Sequence, residues 1–339
     1  MSARIVYCRR MRKRALAAAV VSLAVCAGAT AHADPVVLKF GTLAPPESPW
    51  GRVFKVWARA TDQRSASAVK IQFFWNGTQG DEGAMVGKIR TGQLDGAAIT
   101  ALGLGQIYKQ VLIFQLPGTF ASWQKLDDAR AALRSQMDPE FERAGFSVLG
   151  WGDVGVGRFM SAGYDVRTPN DLKHKATFYE PSDPIDPMFY SVLGDVTPRP
   201  VSIPEVLPGL TANQISVVNV PPLVAEQLQW ASRLDHLNTL PTHYEIGALV
   251  VKSSRISSLP ADAQSAVLDT GRVAAAALTT SIRREDDAAL ARRKQRMTVH
   301  EPTASEAAQW NRLFADTRAR LRGTTFHASL VDEAVRRGQ

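Results

Sequence analysis

Apolar positions in this chain fall into two alternating rhythms, short strand-like runs and longer stretches at helical spacing. VVLKFGTL, from Val36, is a buried-strand pattern, and Ser48 then stands at a helix N-cap with Pro49 in the first turn. Trp50, Val53, Phe54 and Trp57 mark the apolar face of that helix. VKIQFFW predicts a second strand, GDEGAMVGKIRTG a short helix closed by Gly92, and LDGAAIT a third strand followed by a loop at ALGLG. SWQKLDDARAALRSQM predicts a helix with Trp123, Leu126, Ala129 and Leu133 on one side. FSVLGWGD and GRFMSAG read as strands that cross between two lobes.

The second half repeats the pattern. ATFY, VTPRPV and ISVVNV are strands, Ser202 and Glu205 form a capping-box signature before VLPGL, LVAEQLQWAS is a helix, and EIGALVV returns as a strand. Between Pro260 and Met297 there is no further proline and one glycine, Gly271. One helix there would be about 55 Å long. It is either two helices broken near Gly271 or a single brace lying across both lobes. Alternation with two crossings predicts an α/β protein of two hinged lobes. Residues 34–155 and 246–285 form lobe I in this reading, and residues 156–245 and 286–339 form lobe II with the C-terminal helices.

The N-terminus changes what charge and cysteine can mean. Residues 1–33 carry a basic start, the apolar run ALAAAVVSLAVCAGA and the small-residue site Ala31-His32-Ala33, the grammar of a secretory signal peptide. The apolar run is short for a membrane span, which needs about 20 residues. Export to the periplasm is therefore expected. With that segment removed the charged residues number 34 basic against 32 acidic, a formal +2 rather than the +8 of the whole chain. Nucleic acid is not an expected partner, because no basic stripe interleaved with aromatics is present. Cys8 and Cys26 leave with the signal, which removes disulfide, thiol and zinc–sulfur chemistry.

No catalytic motif emerges. There is no G-x-S-x-G, no Walker loop and no H-E-x-x-H, and the histidines stand singly without metal-ligand spacing. Neither an enzyme nor a cofactor is expected. Glu180, Asp183 and Asp186 recur every third residue in a proline-rich loop. Clustered carboxylates suit a hard cation, but Asp-Pro turns explain Asp183 and Asp186 as well, and the spacing matches no known cation loop.

An ordered set of segments resembles a known family. VVLKFGTLAPPESPWG, GTQGDEGAMVGKIRTGQLDGAAIT, GFSVLGWGDVGVGRFMSA, TPNDLKHK and SIPEVLPGLTANQISVV follow one another as in the extracytoplasmic solute-binding proteins of TRAP transporters. The resemblance implies a cleft between two α/β lobes that closes on a small molecule. It also implies delivery to membrane permease subunits driven by an ion gradient. Such proteins commonly hold a carboxylate with an arginine on the strand after a D-L-K-G-x-K-like turn. Here the turn is DLKHK and the arginine's place falls at about Phe178. The place of a second polar contact, usually asparagine, falls near Pro221. The resemblance therefore points to a branch lacking the usual carboxylate-binding arginine, and some such relatives are associated with a helical-repeat periplasmic partner.

Phe178 offers apolar area and a π face rather than a fork of donors. The expected ligand has a substantial apolar part, with Trp75, Trp151, Tyr179 and Phe189 as further aromatic candidates. Arg158, in GVGRF, coincides with another arginine that the family often places in the cleft; an interlobe ion pair is its alternative. Competing readings are an organic-acid receptor anchored by Arg158 and a periplasmic enzyme or scaffold on the same fold.

Overall fold

A computed structural model describes residues 34–339; the expected signal peptide, with both cysteines, lies outside the described residues. Within Val36–Gln339, two sheets organise the chain. The first half supplies Val36–Thr42 (β1), Pro49–Arg64 (α1), Val69–Phe74 (β2), Glu82–Thr91 (α2), Gly96–Thr100 (β3), Ala101–Gly105 (α3), Trp123–Arg143 (α4) and Phe146–Val156 (β4). The chain then crosses to Arg158–Ser161 (β5), Ala176–Tyr179 (β6), Ile185–Leu193 (α5), Thr197–Pro200 (β7), Ile203–Thr211 (α6), Val217–Val220 (β8), Pro222–Gln227 (α7) and His236–Asn238 (β9). It returns as Tyr244–Lys252 (β10) and continues through Ser253–Ser257 (α8), Ala261–Lys294 (α9), Thr298–His300 (β11), Ala304–Leu321 (α10) and Ala328–Gly338 (α11).

One sheet has the order β2-β1-β3-β10-β4, with β10 antiparallel between β3 and β4. The other has the order β11-β9-β5-β8-β6-β7. Each lobe thus keeps its own sheet, and the connections run where the sequence crosses. There Gly157 donates its N–H to the His243 carbonyl (2.9 Å), and Thr242 donates back to the Gly157 carbonyl (3.0 Å). A Cβ on Gly157 would lie 2.2 Å from the His243 ring, so only glycine lets the two crossings touch.

The helix that begins α1 is capped as its sequence predicts, with Ser48 Oγ accepting from the Gly51 N–H at 3.1 Å. Phe54 and Trp57 are buried beneath it, while Trp50 and Val53 are half-buried. Gly92 ends α2 in the left-handed conformation, φ 80°. Two local expectations change. ALGLG forms α3 rather than a loop, because Thr100 caps it and the Glu82 carboxylate accepts from the Gly103 N–H (2.8 Å). LVAEQLQWAS stops helically at Gln227, before Gln229 turns left-handed at φ 65°.

The long helix is continuous. α9 has 34 residues, about 51 Å at 1.5 Å per residue. Gly271 does not break it, since its missing side chain lets Leu149 approach; an added Cβ would stand 3.0 Å from Leu149. The N-terminal half lies on α1, with Trp57 Nε1 donating to Thr270 Oγ1 (3.2 Å). Farther on, the Asp286 carboxylate accepts from Val156 N at the end of β4 and from Leu223 N at the start of α7, each at 3.0 Å. Arg292 and Arg293 then pair with Glu226 of α7. One helix therefore grips both lobes.

The far C-terminus departs from the expected division, which gave residues 286–339 to lobe II. Packing of α10 is against lobe II, with Trp310 and Phe314 beside Phe159 and Phe189. The last helix, α11, returns to lobe I, where Leu330, Val331 and Ala334 join Leu126, Ala129 and Leu133 of α4 in one core. Its strong amphipathic stripe needs an apolar partner, and α4 offers one.

Candidate functional site

Between the lobes lies a cleft that encloses about 200 Å³. Its position at the ends of both sheets follows from the fold, since open α/β sheets leave a crevice beyond their strand ends. Much of the wall is apolar, with Trp50, Phe54, Phe178, Phe189, Trp230 and Leu278. The rest is acidic. Glu82, Asp153, Glu180, Asp183, Asp186 and Glu245 line it together with His243 and Gln115, and neither lysine nor arginine does.

Phe178 and Phe189 are the expected site residues that the structure brings to this wall. Phe178 is the penultimate residue of β6, is 6% exposed, and meets Trp230 edge-on at 5.7 Å. It faces a core and a cleft at once. Phe189 on α5 stacks on Phe159 at 6.3 Å, which fixes its ring.

The other expected residues stand outside the wall. Tyr179 points to the opposite side of β6, where Tyr190 meets it at 6.3 Å, as side-chain alternation along a strand requires. Trp75 stacks on Phe73 at 4.9 Å and adjoins the cleft only through Phe54. Trp151 is wedged between Phe114 and Phe141 in the core of lobe I. Pro221 fills the space that Gly155 leaves open. Arg158 is 8% exposed and spends its donors on main chain, Nη1 on the Val156 carbonyl (3.0 Å) and Nε on the Thr239 carbonyl (3.3 Å). Desolvation lowers its pKa, with Asp286 the nearest opposing charge. It holds the crossing segments rather than an object in the cleft.

Residues that sequence reasoning did not select complete the site. Glu82 opens α2 and accepts from Thr100 N (2.8 Å), Thr100 Oγ1 (2.6 Å) and Gly103 N (2.8 Å). Burial nevertheless pushes its pKa up to about 7, with the charge of Glu180 across the cleft adding to the effect. Glu245 and His243 enter from β10 and its approach, 3.2 Å apart. Glu180 accepts from Ser182 N (2.8 Å) and Asp183 from Ile185 N (2.7 Å), so turn chemistry explains both, as the proline-rich loop suggests. Burial raises Asp183 to about 6 against the pull of the Ile185 N–H and His243. Asp186 is raised well above the usual carboxylate range, by burial first and then by Asp183 and Glu245. Among the described residues, no group of His, Cys, Asp and Glu is close enough to hold a metal ion.

The geometry of lobes, crossings, brace and cleft is that of a receptor for small molecules. A family model described as bacterial extracellular solute-binding protein, family 7, matches residues 40–320. The chain belongs to that family. A solute-binding protein of Verminephrobacter eiseniae is 24% identical over 227 residues, 66% of each chain, just under two thirds of that protein's length. Among solved structures, the succinate-bound TRAP periplasmic solute-binding protein of Sulfurospirillum deleyianum superposes with a TM-score of 0.83 at 16% identity, covering 89% of this chain and 99% of that one. The sugar-acid-binding protein DctPAm of Advenella mimigardefordensis, solved with galactonate, gives 0.82 at 14%, with 90% and 99% covered. A Polaromonas protein bound to D-erythronate gives 0.80 at 17%, with 88% and 98% covered. All four are described as proteins that bind a solute or a sugar acid. No helix among the described residues is long and apolar enough to cross a membrane.

Proposed function

We propose that this family 7 protein is the periplasmic receptor of a TRAP-type secondary transporter. It holds a small organic molecule with a substantial apolar part between its lobes and hands it to the membrane permease subunits. The observation that carries the reading is an interlobe cleft walled by Phe178, Phe189, Trp230, Trp50 and Phe54, with no lysine or arginine in the wall. Burying one ligand group against such rings contributes about 1.5–3 kcal/mol, by analogy with a buried side chain.

Closure follows from the same fold. The lobes are joined by two adjacent crossings at Gly157 and Thr242 and by α9, a construction suited to hinge bending. A ligand that touches both lobes favours the closed form by its extra contacts there. Small-angle scattering should show a smaller radius with ligand than without.

The similar structures were solved with organic acids, so an organic-acid receptor is the second reading. It needs a donor that this cleft does not supply from Arg158, which is committed to the Val156 and Thr239 carbonyls. A buried carboxylate left unpaired is costly, and here it would stand among other carboxylates. Nothing among the described residues points to a helical-repeat partner. Native mass spectrometry of the protein purified from the periplasm should find a co-purified small molecule with an aromatic or aliphatic body. A dicarboxylate or sugar acid in its place would favour the second reading and overturn the first.

A further inference from the structure

We propose that the ligand carries a positively charged nitrogen, an amine on an apolar body, which binds the acidic end of the cleft formed by Glu180, Asp183, Asp186 and Glu245 with Glu82 across from them. The proposal rests on the receptor reading above and deepens it. Among the described residues none of these carboxylates pairs with lysine or arginine; the one imidazole beside them is His243, 3.2 Å from Glu245 and near enough to act on Asp183. The lining supplies no lysine or arginine either. Burial disfavours the ionised forms while no cation is near, so whatever negative charge this end carries is left for the cleft's occupant to match.

A second observation points the same way. Gln115, 8% exposed, also lines the cleft, and its Oε1 has no hydrogen-bond partner. Gly118, three residues beyond it in the chain, donates to the Thr242 carbonyl (2.7 Å), the residue before His243. A buried acceptor without a partner asks for a donor. An ammonium group has donors and a carboxylate has none. A bare metal ion does not fit, because the carboxylates are spread along the cleft rather than gathered around one point. An organic cation suits that spread, and the rings of Phe178, Phe189 and Trp230 provide both apolar area and π faces for a cation's flank.

The arrangement also couples binding to closure. Glu82 belongs to lobe I and Glu180 to lobe II, and their ionised forms repel across the cleft, an effect second to burial in raising the Glu82 pKa. A cation between them turns repulsion into attraction, so the charged ligand favours the closed form more than an uncharged one of the same shape.

The test is calorimetric titration of the protein, purified from the periplasm, with phenylpropylamine, phenylpropanol and phenylpropanoate. The amine should bind at least about tenfold tighter than the alcohol, and the carboxylate weakest of the three. Asp186→Asn and Glu245→Gln should each weaken the amine by about tenfold or more, and by a larger factor than they weaken the alcohol. Preference for the carboxylate, or amine affinity unmoved in both variants, overturns the proposal. If the alcohol or the carboxylate binds best and Phe178→Leu weakens it, the receptor reading stands and the cation falls alone. Silence from all three also removes the cation; the receptor reading falls with it only if native mass spectrometry finds no small molecule on the protein.

Discussion

Two sets of carboxylates, one reaching the cleft through Asp153 and the other through Asp183 and Asp186, are treated by the chain in opposite ways. Asp153, 2% exposed on β4, receives Arg130 Nη1 at 2.8 Å and Arg283 Nε at 2.6 Å. Asp127 on α4 receives two more bonds from Arg283 and one from Arg130. Burial pushes Asp127 upward, but the guanidinium bonds and charges outweigh it and hold its pKa below the usual range. Arg283 also lies over the Trp123 ring, 4.4 Å from its centre. Across the cleft, Asp183 and Asp186 have no such partner, and burial drives both upward. The first set is matched inside the chain and ties α4, β4 and α9 together. The second is unmatched, so burial disfavours its ionised form, and in the proposed reading a cationic ligand restores it.

The largest expected effect comes from removing the match. Arg283→Met keeps the alkyl volume but leaves Arg130 alone to pair with both Asp127 and Asp153; breaking a buried pair from one side costs about 3–5 kcal/mol, and the remaining arginine holds the loss toward the lower end. Denaturant titration should show the loss with little change in slope. A cost near that of an exposed pair, below about 1 kcal/mol, would mean that the two sets do not differ in kind.

The second prediction turns the sign around. Asp186 has a folded pKa above its unfolded value of about 3.9, so its contribution to stability is fully present below that pH and is lost as pH rises through the folded value. The groups that face it are Asp183 and Tyr190 on its own loop and helix, Glu180 after β6, Glu245 and His243 from the β10 side, and Glu82 across the cleft. Asp186→Asn should therefore leave stability near pH 4 unchanged and raise Tm at pH 8 by about 2 °C or more in the empty protein. Saturating phenylpropylamine should close that gap, because it stabilises the charged site by mass action and the variant less. A variant less stable than wild type at pH 8 would make Asp186 a structural acid like Asp153.

Much of the fold was legible in the sequence, and the reasons it was not everywhere so are specific. Ser48, Gly92 and the Ser202–Glu205 box act within one helical turn, so their signals are local. Gly271 suggests a break but serves close packing on Leu149, a contact between residues far apart in the chain. The site is less legible still. Phe178 and Tyr179 are neighbours in sequence, yet alternation along β6 sends only Phe178 to the cleft. Arg158 has the residue type of a ligand anchor, but two main-chain carbonyls take its donors. Glu180, Asp183 and Asp186 are visible as a group, whereas the significance of that group depends on Glu245 and Glu82, which arrive from other elements. What the sequence lacks is not the acids but the fact that no cation comes with them.

The smallest effect is the most discriminating about where the amine sits. Charges exposed to solvent are screened strongly by salt, with a Debye length of about 10 Å at 0.1 M, whereas partly buried pairs are screened much less. Glu245 and Glu82 are largely enclosed, and Asp186 is half-buried beside them. The charged residues of positions 34–339 nearly cancel, 34 basic against 32 acidic, so long-range attraction to a cation is weak. Raising sodium chloride from about 0.05 to 0.5 M should therefore weaken phenylpropylamine by only about twofold and leave phenylpropanol unchanged. Salt competes at the mouth of the cleft and hardly at its acidic end. An amine affinity that collapses by about tenfold or more over that range would place the cation on an exposed acidic surface. The unmatched carboxylates would then be as solvated as any other, and their contrast with Asp153 would carry no meaning for binding.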